Sequence, residues 1–152
     1  MDLAREQDAV KRDLTADVIR QFGEGQLKVT GTSMLPSVWP GDVITVRRRT
    51  AAALPLGQII LCYRNNPFIA HRLIGKRDDC LITRGDSLSY EDPPFRDAEV
   101  LGEVISILRN GRPVASPSAW WLRVGSSMAR HSELCTRIML RLQRSSRMSW
   151  AN

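Results

Sequence analysis

Long apolar runs, histidine and cysteine are all scarce in this chain of 152 residues. The most apolar stretch, residues 51–63, is short and holds Pro55, Gly57 and Gln58. A bilayer span needs roughly 20 apolar residues, so this stretch falls short, and no other comes closer. The first 22 residues alternate charges and lack the apolar segment of a secretory signal. Cys62, Cys80 and Cys135 are the three cysteines. An odd count without a signal suits a reducing compartment and argues against a disulfide scaffold. Their spacing matches no structural zinc pattern. No basic strand interleaved with aromatics and no zinc finger points to nucleic acid. The expectation is a cytoplasmic protein with no membrane span, no metal and no cofactor.

What the chain does contain is enough for a core. It is 43% hydrophobic and 25% charged, a composition that excludes wholesale disorder. Its length fits one domain, or one domain with a tail. The formal charge of +6 is unevenly spread. Residues 1–22 carry four basic and five acidic groups, and residues 23–108 carry ten of each. Residues 109–152 carry eight arginines and one acid, Glu133. The basic surplus therefore belongs to the C-terminal end, and an argument for an anionic partner applies only there.

Periodicity divides the chain the same way. Leu3, Val10, Leu14, Val18 and Phe22 recur at helical spacing, so 1–22 reads as an N-terminal amphipathic helix stopped by Gly23 and Gly25. Residues 23–108 are strand-rich. Short runs at 27–30, 43–46, 59–63, 68–74, 81–83 and 100–108 are separated by Gly, Pro and Asn turns, including Asn65-Asn66-Pro67 and Asn110-Gly111. This predicts a mainly β, barrel-like domain. In 109–152, Trp121, Val124, Met128, His131, Cys135, Ile138 and Leu142 define a basic amphipathic helix at roughly 126–143. Such a helix caps its own core, packs on a partner, or lies on an anionic membrane surface. The last option would put the protein at the inner face of the membrane.

The segment Gly31-Thr32-Ser33-Met34-Leu35-Pro36 is the most unusual in the chain. It sits between two expected strands, where a tight turn exposes a serine. Serine is a poor nucleophile unless a neighbouring base takes its proton. Only two histidines are available. His131 lies on an apolar stripe and reads as packing, whereas His71 lies in a strand beside Arg72. Asp86, in Arg84-Gly85-Asp86, and Asp92, before Pro93-Pro94, are the carboxylates suited to orient an imidazole. Each also reads as an ordinary turn residue.

These residues carry a family resemblance. Gly31-Thr32-Ser33-Met34-Leu35-Pro36, Gly41-Asp42-Val43-Ile44-Thr45-Val46, Gly57-Gln58-Ile59-Ile60, His71-Arg72, Arg84-Gly85-Asp86 with Asp92, and Leu101-Gly102-Glu103-Val104 follow one another in order. Together they resemble the ordered boxes of type I signal peptidases, over about residues 27–107. The closest form is similar to the histidine-bearing branch of the endoplasmic reticulum, archaea and some bacteria. The LexA/UmuD-like self-cleaving peptidases share the β fold. The resemblance implies a signal-peptidase/LexA-like catalytic core and a serine endopeptidase acting on a precursor protein or peptide. It implies Ser33 as nucleophile and His71 as base, where the bacterial housekeeping enzymes carry lysine. Asp86 and Asp92 match the two acidic positions, and the resemblance leaves open which of them contacts His71. Met34 and Pro36 would shape the turn that holds Ser33. The substrate would lie extended beside a strand edge, with small residues before the cut.

The chain also departs from that family. The charged segment 1–22 occupies the place of the usual membrane anchor. Gly31 stands where the housekeeping enzymes often carry an oxyanion-binding serine, which leaves the backbone N–H groups of Ser33 and Thr32. Gly57-Gln58 replaces a common Gly-Asp. Lys76, five residues past His71, is off the lysine position. Tyr63, Phe68 and Ile69 lie near His71 in sequence and read equally as core or as pocket. Two alternatives stand beside the peptidase: a self-processing regulatory relative, and a catalytically silent β module that binds peptide, partner or membrane.

Overall fold

A computed structural model describes residues 3–64 and 67–114. The chain runs through α1 (Leu3–Phe22), β1 (Glu24–Lys28), β2 (Val43–Arg47), β3 (Ile59–Tyr63), β4 (Phe68–Arg77), β5 (Cys80–Arg84), β6 (Phe95–Arg96), β7 (Val100–Arg109) and β8 (Arg112–Val114). The helix expected at 126–143, with His131 and Cys135, lies outside the described residues. The strands form one antiparallel sheet ordered β1-β2-β7-β3-β4-β5-β6, with β8 paired to β7. The sheet is open and curled into a half-barrel, and the N-terminal helix α1 packs against β1 and β7. No described helix is long and apolar enough to cross a membrane.

The central strand shows why the sheet curls around two cores. Ile59, Ile60, Leu61 and Cys62 in β3 are all buried. Alternate residues of a strand point to opposite faces, so an unbroken apolar run marks a strand covered on both sides. Ile59 and Leu61 pack with Met34, Val38, Ile44, Val104 and α1. Ile60 and Cys62 pack with Leu54, Leu73, Leu81 and Phe95. Burial pushes the Cys62 thiol up to about 12, so this cysteine stays neutral and unreactive in the core. Tyr63 and Phe68, ring centroids 5.0 Å apart, pack against the first cluster, and Ile69 packs against the second.

The β1 and β8 boundaries differ from the sequence pattern for a backbone reason. Strand β1 spans Glu24–Lys28 rather than 27–30, because all five of its residues pair with β2. Its exposed Glu24, Gln26 and Lys28 give no apolar signal. Strand β8 follows Asn110-Gly111, both at positive φ, a two-residue hairpin turn matched to strand twist.

Helix α1 forms over the expected residues, but it presents a different face. Ala16 and Ile19 are fully buried, whereas Val10 (61% exposed), Leu14 (64%) and Phe22 (77%) face solvent. Close approach selects the buried face. A Cβ at Gly25 would lie 2.6 Å from Ile19 Cγ1, so β1 approaches α1 closely where Ile19 packs over Gly25. The Tyr63 hydroxyl donates to Asp13, and Arg48 donates to the Arg20 carbonyl, which holds the helix in this orientation. Denaturant unfolding tests the assignment. Ile19→Ala is expected to cost about 2–5 kcal/mol, and Leu14→Ser is expected to stay within about 0.5 kcal/mol of wild type. The reverse order would mean that the sequence stripe faces the core.

Candidate functional site

Ser33 sits in the connection between β1 and β2, and that connection is closed at its base. Val29 N–H donates to the Asp42 carbonyl and Gly41 N–H to the Val29 carbonyl, both at 2.8 Å. Within it, Leu35 N–H bonds to the Thr32 carbonyl and Val38 N–H to the Met34 carbonyl. Met34, Leu35 and Val38 are buried, so the turn is fastened through its apolar side chains while Ser33 stays half-exposed. Asp42 adds a second anchor. Its carboxylate takes two bonds from Arg109 on β7, at 3.0 and 2.8 Å, and one from the Trp39 N–H at 2.8 Å. The Arg109 guanidinium also stacks 5.4 Å from the Trp39 ring centroid.

His71 meets this turn from β4. Its Nε2 lies 2.8 Å from Ser33 Oγ, and its Nδ1 lies 2.6 Å from Asp92 Oδ2. A carboxylate oxygen accepts, so Nδ1 carries the proton and Nε2 is left to accept from the Ser33 hydroxyl. Asp92 is held in turn by Thr83 at the end of β5. The Thr83 hydroxyl donates to Asp92 Oδ2 at 2.6 Å, and Asp92 N–H donates to the Thr83 carbonyl at 2.8 Å. His71 and Asp92 are largely shielded from water, which strengthens the pair relative to one in solvent. Chemically, the arrangement can remove a proton from Ser33 and hold the resulting imidazolium against a carboxylate.

Asp86 has a different task from Asp92. It takes a bidentate pair from Arg72, Nε to Oδ1 at 2.7 Å and Nη2 to Oδ2 at 2.6 Å. The Ser37 hydroxyl donates to the same carboxylate, and Arg72 also donates to the Gly57 carbonyl at 2.6 Å. No hydrogen bond joins Asp86 to His71. Asp86 therefore ties the Ser33 turn, β4 and the segment after β5 together. Lys76 caps the 3₁₀ turn at Ala51–Ala53, donating to the Ala51 and Ala52 carbonyls at 2.9 and 3.1 Å.

Sequence reasoning missed four supporting residues: Thr83, Ser37, Ser87 and Arg64. Thr83 sits in β5, where its β-branched side chain reads as ordinary strand propensity. Arg64 closes the β3 end of the site. It pairs with Glu99 (Nη2 to Oε2, 2.8 Å), stacks 4.2 Å from the Phe95 ring centroid, and donates to the Pro93 and Pro94 carbonyls just after Asp92. A cavity of about 640 Å³ opens beside this pair, lined by Arg64, Cys80, Pro94, Arg96, Ala98 and Glu99, and neither Ser33 nor His71 lines it. Among the described residues, no cluster of His, Cys, Asp and Glu is placed to hold a metal ion. No protein-family model matches the chain, and no curated protein matches it.

The Arg64 guanidinium holds the Glu99 carboxyl down at about 2. A carboxylate with a depressed folded-state pKa stabilises the fold fully above its unfolded value, and the contribution disappears as pH falls toward the folded value. The stability difference between wild type and Glu99→Gln is therefore expected to be constant above about pH 5 and to shrink between about pH 4.5 and 2. Urea titrations at stepped pH measure it. A difference as large at pH 2 as at neutral pH would contradict the pairing.

Proposed function

We propose that this chain is a serine endopeptidase of the type I signal peptidase-like class, built on a signal-peptidase/LexA-like β core. The observation that carries the reading is the unbroken line from Ser33 Oγ through His71 to Asp92, with contacts of 2.8 and 2.6 Å. The ordered boxes between residues 27 and 107 supply the class, and the curled antiparallel sheet is compatible with it.

Catalysis on this reading is acyl transfer. His71 takes the Ser33 proton as Oγ attacks a peptide carbonyl, and Asp92 stabilises the imidazolium. The C–N bond breaks as His71 passes that proton to the leaving amine. Water, deprotonated by His71, then attacks the acyl-enzyme, and the proton returns to Ser33 as the acid leaves. The substrate class is an extended segment of a precursor protein or peptide. Strand β1 ends the sheet and continues through Val29, which pairs with Gly41 and Asp42, into exposed Thr30, Gly31 and Thr32 before Ser33. An open edge that leads to the nucleophile suits main-chain pairing with an extended peptide.

A fluorophosphonate probe tests the reading without knowledge of the substrate, because it reacts with an activated serine. Intact mass is expected to show one adduct, mapped to Ser33 and absent in Ser33→Ala. Labelling of His71→Ala is expected to slow by about 10²-fold or more. A folded wild-type protein that takes up no probe, or equal labelling of all three proteins, would overturn it.

A further inference from the structure

The segment after β5 reaches the Ser33 backbone as well as the Arg72 pair. At Gly85 a Cβ would lie 2.6 Å from the Ser33 carbonyl oxygen, so only glycine lets the two backbones come this close. Two residues on, Ser87 N–H donates to the Ser33 carbonyl at 3.0 Å. The Ser87 hydroxyl lies 2.9 Å from the Ser33 carbonyl oxygen and 3.2 Å from that of Thr32. Leu35 N–H also donates to the Thr32 carbonyl, at 3.1 Å.

The Thr32 carbonyl and the Ser33 N–H belong to the same peptide plane. In a trans peptide the two point in opposite directions. Holding the carbonyl toward Ser87 and Leu35 therefore aims the Ser33 N–H away from them. Among the described residues, that N–H donates to no protein acceptor. A preorganised donor of this kind stabilises developing oxyanion charge because it needs no reorientation during reaction. Gly31 supplies no side-chain donor, and a Cβ there would meet nothing within 4 Å. The backbone donor has no side-chain substitute at that position.

We infer that Ser87 is a positioning residue: its one hydroxyl proton, shared between the Ser33 and Thr32 carbonyls, restrains the two peptides that flank Ser33 and so orients the Ser33 N–H as the oxyanion donor. The inference rests on the reading of Ser33 as a nucleophile. It assigns Ser87 no contact with substrate. Removing an oxyanion donor outright costs about 10²–10³ in rate. Loosening its orientation, with the Ser87 N–H and Leu35 N–H bonds kept, is expected to cost about 10-fold.

Fluorophosphonate labelling of wild type, Ser87→Ala and Ser87→Thr, followed across a range of probe concentrations and pH, tests it. Ser87→Ala is expected to label to full amplitude with a maximal rate about 10-fold lower. Its half-saturating probe concentration should not change, and the slowing should be the same at every pH, since the base is untouched. Ser87→Thr keeps the hydroxyl and is expected to recover the rate. The inference is overturned by a Ser87→Ala rate within about twofold of wild type, by slowing confined to one pH range, or by a threonine variant as slow as alanine. Wild type that never labels removes both this inference and the peptidase reading. Labelling of wild type with an unchanged Ser87→Ala rate removes this inference alone.

Discussion

Arg72 carries its charge into a nearly closed interior, only 9% exposed, and Asp86 is the partner that allows it to stay there. A buried guanidinium without a carboxylate is strongly unfavourable, so the three elements this pair joins are held together. One is β4, which carries His71 next to Arg72. Another is the turn that carries Ser33, reached through Ser37. The third is the segment after β5, which brings Ser87 to the Ser33 backbone and leads on to Asp92. The bidentate geometry fixes orientation as well as distance, which a lysine in the same place would not do.

Around that pair the site is held by polar contacts and the scaffold by apolar ones. Two cores on opposite faces of β3 keep the sheet curled, and the Ser33 turn is anchored in one of them through Met34 and Val38. Thr83 holds Asp92 through its carboxylate and its backbone N–H, and Arg64 holds the prolines that follow it. His71 is therefore positioned between two restrained groups, which is the condition for proton transfer over short, fixed distances.

Most of the strands are legible from residue types; the site residues need the order of the motifs as well. β3 and β4 are visible as apolar runs flanking a turn, whereas Ser33, His71 and the two aspartates are singled out by the ordered boxes of the family resemblance, each aspartate reading equally as a turn residue on its own. Other features depend on distances that periodicity does not encode. Helix α1 offers two apolar faces, and the closeness of Gly25 to Ile19, not the stronger stripe, decides which is buried. Asp86 and Asp92 are the same residue type six positions apart; their roles separate only through Arg72 on one side and Thr83 on the other. Ser87 is an ordinary turn serine in sequence, and its importance comes from the two carbonyls the fold brings to it. Strand β6 is two residues long, too short for any pattern to reveal.

Equilibrium unfolding of Asp86→Ala is the most direct measurement of whether the Arg72–Asp86 pair organises the site. If Arg72 is left buried and unpaired, the loss is about 3–5 kcal/mol. A loss within about 0.5 kcal/mol, the behaviour of an exposed ion pair, would contradict it.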